Sequence, residues 1–294
     1  MALPLIAADT FSRFERLSLV GQRTAQEGLG GEHRSRRRAP STEFVDYRPY
    51  QQGDDFRRVD WNIYGRLGTL QVKLTEARER LDVVLVLDCS ASMTFGQPSK
   101  LALAANVVAG LAYVALGRSD TLRVIALRAG EPTILAGPLR GRARFGELLQ
   151  TLSRQPAGGE LELSSALVAC LPPGGRQRMV VLVSDLLAPD GIANGLDSLL
   201  GKRAEVVVVH LFSSEEADPR LAGEIELVDS ETGEREELGA SLATLDAYRS
   251  RFAAWLADQE RACTSRGLRY VRVASDRAVT SVMLDDLRRA EVVR

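Results

Sequence analysis

Asp88, Ser90 and Ser92 stand at two-residue spacing directly after the apolar run Val83-Val84-Leu85-Val86-Leu87. One carboxylate and two neutral hydroxyls lack the base that covalent chemistry needs, but they suit a hard cation. Mg²⁺ takes oxygen ligands at short range in octahedral geometry and keeps positions for water or a further ligand. Asp185 ends a second apolar run, Met179 to Ser184, about one hundred residues on, and is the natural candidate to help complete the shell. The plainer reading is that both acids cap loops or helix termini, where Asp and Ser are common for their own hydrogen-bonding reasons. Asp-x-Ser-x-Ser alone is a weak pattern. The apolar strand before it, the helix after it and the second strand ending in Asp favour a divalent cation, Mg²⁺ first among them.

Other chemistries fit less well. A phosphate-cradling loop needs Gly-x-x-x-x-Gly-Lys-Ser/Thr. The nearest match, Gly195 to Gly201 with Lys202, is one residue too long, lies in an expected helix and continues with Arg203. Serine hydrolysis needs a base, and only His33 and His210 exist. His210 ends a strand, where a lone polar residue is usually solvated, and Gly-x-Ser-x-Gly is absent. An aspartyl phosphotransferase with Asp88 as nucleophile calls for a second acid two residues on, where Ser90 stands.

The elements that must position these residues follow from hydrophobic period. Short continuous apolar runs suit strands buried on both faces, as in parallel sheets. From Leu81 onward strands alternate with helices: Asp82 to Leu87, Thr121 to Leu127, Met179 to Ser184, Glu205 to Phe212 and Leu268 to Val273, with Thr133 to Ala136 at an edge. That alternation predicts an α/β fold, doubly wound around a mostly parallel sheet, whose ligands lie beyond the carboxyl ends of the strands. A long helix, Ser241 to Ser265, is expected to bury Leu245, Tyr248, Phe252 and Trp255. Glu224 to Leu238 reads as an acidic hairpin turning at Glu231-Thr232-Gly233, a solvated projection or a docking surface. Residues 1–80 differ: one or two helices from Leu5 to Ala25, a basic knot Arg34-Ser35-Arg36-Arg37-Arg38, then aromatics mixed with Asp and Arg. They are expected to form an irregular N-terminal flank on an 81–294 domain, with Phe56 and Trp61 buried among Asp/Arg pairs.

Bulk composition narrows the function classes. The 294 residues carry 38 Lys and Arg against 39 Asp and Glu, so nothing global argues for nucleic acid. No apolar run approaches the ~20 residues of a membrane span, and the amino terminus lacks the order of a signal peptide. A cytoplasmic location is expected. Cys89, Cys170 and Cys263 are odd in number and far apart, which supports burial rather than disulfides or structural zinc.

Glu43-Phe44, Asp46-Tyr47-Arg48-Pro49-Tyr50, Gly53-Asp54-Asp55, Arg57 to Trp61, Arg66 and Lys73, followed by Leu87-Asp88-Cys89-Ser90-Ala91-Ser92-Met93, resemble the bacterial family called domain of unknown function 58. The carboxyl-terminal part is more loosely similar to a von Willebrand factor A domain, through Lys100, Asp120 and Val181-Leu182-Val183-Ser184-Asp185. The resemblance implies a von Willebrand factor A-like sheet with a metal-ion-dependent adhesion-type site. Asp88, Ser90 and Ser92 would be its first loop and Asp185 its later acid, completed by a protein ligand's carboxylate. It also implies a non-enzymatic adaptor role beside a MoxR-type AAA+ ATPase. One departure stands out: the pattern wants Thr after Gly-Gly, and here Gly158-Gly159 is followed by Glu160, with Glu162, Ser164 and Ser165 nearby. Either Glu160 or Glu162 ligates, or water fills the place, or the site is weakened. A metal-dependent phosphatase or hydrolase, and a structural module with a vestigial metal site, are the alternatives.

Overall fold

The computed structural model describes residues 3–21, 42–77, 80–129, 132–171 and 178–294. The basic knot at 34–38 and His33 lie outside them. The chain divides into two compact units, Leu29–Arg80, and Met1–Gly28 with Leu81–Arg294. The expected boundary is thereby corrected at its amino-terminal side: the first residues belong with the large unit.

In the smaller unit, β1 (Thr42–Pro49) pairs antiparallel with β2 (Gln71–Ala77), with a register shift between Phe44 and Asp46. Between them lies helix α1 (Trp61–Leu67), begun by Asp60, whose carboxylate accepts from the Asn62 and Ile63 amides, and ended by Gly68 at φ +68°. Arg48 grips Asp54 bidentately at 2.7 and 2.6 Å. The expected Asp/Arg locking is present, but Phe56 and Trp61 are not buried; they are 59% and 58% exposed, Phe56 stacked on Tyr50 and Trp61 edge-on to Tyr64. Each ring is shielded by its own aromatic neighbour. Nor is this region irregular throughout, since a two-stranded sheet frames it.

The larger unit is built on six strands: β3 (Asp82–Asp88), β4 (Thr121–Leu127), β5 (Thr133–Leu139), β6 (Arg178–Ser184), β7 (Ala204–Phe212) and β10 (Arg269–Ala274). Their order is β10-β7-β6-β3-β4-β5, parallel throughout except for the antiparallel edge strand β5. The doubly wound α/β sheet is therefore present. Helices α2 (Lys100–Gly117), α3 (Phe145–Ser153), α4 (Leu163–Cys170), α5 (Ala193–Gly201), α6 (Ser214–Ala217) and α7 (Leu242–Thr264) connect the strands. The antiparallel hairpin β8 (Gly223–Val228) and β9 (Arg235–Ala240) is inserted between α6 and α7.

Alternation along β3 creates two cores. Val83, Leu85 and Leu87 face α2, α3 and the chain's two ends, while Val84 and Val86 face α4 and α5. Phe11 and Phe14 in the 3₁₀ turn Ala8–Phe14 are buried in the first core, and Ile6 N–H donates to Asn106 Oδ1 at 2.7 Å, so the amino-terminal residues act as part of the sheet unit's cover. Of the one or two helices expected from Leu5 to Ala25, the described residues hold the seven-residue 3₁₀ helix Ala8–Phe14. Helix α2 has the length and mean hydropathy (1.6) of a membrane span, yet 89% of it is buried inside the fold. Helix α7 departs from expectation: Tyr248 is 39% exposed and the residues it buries are Leu256 and Cys263, because it covers only the β7–β10 edge.

Candidate functional site

From β3 the chain passes to β4 on one side, and later to β6 on the other. The crevice at the carboxyl ends of β3 and β6 is thus the switch point of the sheet, the place where open α/β folds hold ligands. Asp88 is the last residue of β3, and Asp185 directly follows β6.

Local bonds shape the first loop. Cys89 N–H donates to Leu127 O at 2.8 Å, pinning the chain one residue past β3. Asp88 Oδ1 then accepts from the Ser90 amide at 2.8 Å, an Asx turn that swings the backbone off the sheet. The 3₁₀ turn Ala91–Thr94 brings the Ser90 and Ser92 hydroxyls within 3.0 Å of one another, and both are buried. The second loop is joined to the first through Ser184, whose hydroxyl donates to Asp88 Oδ2 at 2.5 Å. Leu186 then holds φ +59°, a left-handed conformation that costs a branched residue about 1–2 kcal/mol, and the Leu187 amide donates to Asp185 Oδ1 at 3.1 Å. All four expected site residues lie at this one rim, on or just beyond adjacent strands.

A third loop approaches by its backbone. Gly158 N–H donates to Cys89 O at 3.0 Å and Ala91 N–H to Gly159 O at 3.2 Å. Gly159 has φ +79°, and a Cβ there would stand 2.7 Å from that of Ala129, so glycine is required. Glu160 is exposed and lines the cavity beside Ser92; Ser164 is turned away, accepting from the Gly195 amide at 2.7 Å, and the Ser165 amide donates to Asp190. Neither serine replaces the expected Thr.

Four residues that periodicity does not reveal complete the surroundings. Ser184 ties the two acids' strands. Lys100, fully buried at the start of α2, places Nζ 2.8 Å from Asp185 Oδ2 and also pairs with Glu216. Glu216 belongs to a capping box with Ser213. Glu231 reaches in from the tip of the β8–β9 hairpin. Asp229 Oδ1 accepts from the Glu231 and Thr232 amides at 2.7 and 2.9 Å, and Gly233 at φ +74° closes the turn. A cavity of about 470 Å³ lies under this tip, lined among others by Ser92, Glu160, Leu186, Glu231 and Trp255. The hairpin's tip is therefore not the freely solvated projection that its charge predicts. Lys100 and Ser184 carried a signal in the sequence through the looser resemblance, and Glu231 through the hairpin turn; Glu216 is brought in by tertiary contact.

The electrostatics are those of crowded acids. Burial, then the charge of Asp185, pushes Asp88 up to about 7, against the pull of its bonds from Ser184 and Ser90. Burial also raises Glu231, with Asp185 and Asp229 adding to it, while the Ser92 hydroxyl and amide favour its charged form. Asp185 Oδ2, although ion-paired with Lys100, and Glu231 Oε1 are buried outside hydrogen-bond geometry to any described group. His210 is buried rather than solvated: its Nδ1 lies 2.6 Å from the Tyr270 hydroxyl, and burial lowers it to about 4. Cys89, Cys170 and Cys263 are buried and free, and burial raises all three thiols.

Among the described residues no three His, Cys, Asp or Glu side chains cluster as a ready-made metal cage. A cation here must lean on the two hydroxyls. Two convergent hydroxyls and the buried carboxylates of Asp88 and Asp185 match a hard cation's preference for oxygen donors, with the Lys100 ammonium, 2.8 Å from Asp185 Oδ2, as a competing positive charge.

The uncharacterized protein Rv1480 of Mycobacterium tuberculosis is 30% identical over 255 residues, 85% of this chain and 80% of its own length. The uncharacterized protein MAV169 of Mycobacterium avium is 29% identical over 140 residues, 47% of this chain and 82% of its own. Among solved structures, the conserved hypothetical protein BatB from Bacteroides thetaiotaomicron is similar at 17% identity and a TM-score of 0.40. An aerotolerance-related membrane protein from Bacteroides fragilis is similar at 16% and 0.43, and each covers 71% of this chain and 98% of its own. The sequence pattern of the family described as "Protein of unknown function DUF58" matches residues 46–262, and the chain belongs to that family.

Proposed function

We propose that this protein is a non-enzymatic binding module that holds a divalent cation, Mg²⁺ first, at the β3–β6 rim. The observation that carries the reading is the meeting of Asp88, Ser90, Ser92 and Asp185 at one switch point, with two buried hydroxyls 3.0 Å apart. Ser90 and Ser92 would hold the ion; Asp88 and Asp185 would hold it directly or through water. Bound there, the cation supplies positive charge that a partner's carboxylate can complete. Glu160 in place of a hydroxyl adds a negative charge beside the site and reduces what is left for an incoming acid. The proposed partner is a MoxR-type AAA+ ATPase and the proposed location the cytoplasm; the partner class rests on family resemblance, the location on the reduced, buried thiols.

Mg²⁺ or Mn²⁺ is expected to raise the melting temperature, because a ligand that binds only the folded state stabilises it by mass action. Ser90→Ala is expected to abolish that rise. A second reading has its own support: Lys100 Nζ, 2.8 Å from Asp185, already neutralises one acid from within. If the wild-type melting temperature ignores both cations, the built-in ammonium is the site's cation and the metal reading falls. Turnover of a generic phosphoester that Asp88→Asn abolishes would move the protein into the hydrolase class.

A further inference from the structure

We infer that the β8–β9 hairpin is a cis-acting lid: Glu231 occupies the carboxylate position at the rim, and an acidic segment of a partner protein binds by displacing it. This rests on the cation reading above.

The hairpin has little else to hold its tip in place. Its two strands are almost wholly exposed, with Leu227, Val228 and Leu238 at 43%, 53% and 37%. It does not add to the six-stranded sheet. Nevertheless Oε1 of Glu231 is fully buried and lacks a hydrogen-bond donor, and its surroundings are the Ser92 hydroxyl and amide on one side and the charge of Asp185 on the other. The buried ammonium of Lys100 is already shared between Asp185 and Glu216. The Ser92 hydroxyl and amide favour the charged acid there, but burial and the charge of Asp185 oppose it, and a cation between the acids would remove that opposition. With the cation present, the same placement becomes a ligand position, and Ser92 is the residue through which the lid and the ion communicate.

The turn is built to present this one side chain. Asp229 gathers the Glu231 and Thr232 amides, and Gly233 supplies the left-handed residue, so Glu231 is directed by local bonds rather than by a core. An element with so few buried apolar contacts opens at low free-energy cost, which suits a contact made to be exchanged. The competing ligand is then an Asp or Glu on a protein surface.

The test uses the full chain loaded with Mn²⁺, reading bound inner-sphere water by proton relaxation, with folding checked by circular dichroism. Glu231→Gln and Glu231→Ala are expected to bind Mn²⁺ within about tenfold of wild type, each with one additional bound water. In wild type, Mg²⁺ is expected to slow amide hydrogen exchange in the 229–234 turn, an effect absent from both variants. Mn²⁺ bound with unchanged water number and unchanged turn exchange would overturn the lid and leave the cation reading standing. Loss of Mn²⁺ binding in folded variants would make Glu231 an obligatory ligand, which also overturns displacement. No Mn²⁺ binding by wild type would remove both claims together.

Discussion

The two sides of the candidate site are made by different physics. The rim at β3 and β6 is positioned by a sheet whose central strands are buried on both faces, and its loops are bonded to each other through Ser184, Asp88, Cys89 and Gly158. The hairpin above it has exposed strands, and its turn is shaped by local bonds to Asp229 and by Gly233. The rim is thus rigid and globally stabilised, whereas the hairpin can open without unfolding the domain. A site of this kind keeps its charge-bearing groups fixed and places the exchangeable contact on the loose side.

The strongest way to break the comparison is to disturb the rim's internal cation. Lys100→Met leaves Asp185 and Glu216 without their shared ammonium, and removing one partner of a buried ion pair costs about 3–5 kcal/mol. Urea denaturation should show that loss as a shift in midpoint. A change below about 1 kcal/mol would mean the rim is more hydrated than its burial implies.

His210, beneath the same rim, gives the next effect. Held neutral near 4 while its ordinary value is near 6.5, it binds a proton only on unfolding, so its contribution is complete above pH 6.5 and is lost as pH falls toward 4. The magnitude is at most about 3 kcal/mol. Asp88, raised to about 7, slopes the opposite way over this range. The readout is therefore the difference between wild type and His210→Gln, which should shrink as the medium is acidified; a pH-independent difference contradicts it.

Gly159→Ala probes the backbone junction between loops. A left-handed φ and a 2.7 Å approach to Ala129 are expected to cost about 1–2 kcal/mol. Asp229→Ala should do least to global stability, leaving the denaturation midpoint unchanged while amides of the 229–234 turn exchange faster. If the midpoint moved as far as it does for Gly159→Ala, the hairpin would belong to the same cooperative unit as the rim.

Much of the rim was legible in the sequence, because its signals are local. A buried parallel strand is a continuous apolar run, and an acid at its end marks the rim; that is how Asp88 and Asp185 could be placed together although about one hundred residues separate them. Lys100, Glu216 and Glu231 answer to no such rule. They come from a helix start, a capping box and a hairpin tip far apart in the chain, and only tertiary packing makes them neighbours. The same limit explains the misreadings. Helix α7 has a helical apolar stripe, but periodicity cannot say how wide a surface the stripe meets. Phe56 and Trp61 look like core residues by type, yet they stand 59% and 58% exposed beside a two-stranded sheet. Residues 3–21 look detached because the core they cover begins with Leu81.

The most direct test of the central claim, that this rim binds a divalent cation through its paired hydroxyls, is a Mn²⁺ titration followed by electron paramagnetic resonance on wild type and Ser90→Ala. The expected result is depletion of the free-ion signal by one Mn²⁺ per wild-type chain, displaced by Mg²⁺, with the depletion lost in Ser90→Ala. A wild-type signal that tracks added Mn²⁺ as though no protein were present, or equal depletion by both proteins, would contradict it.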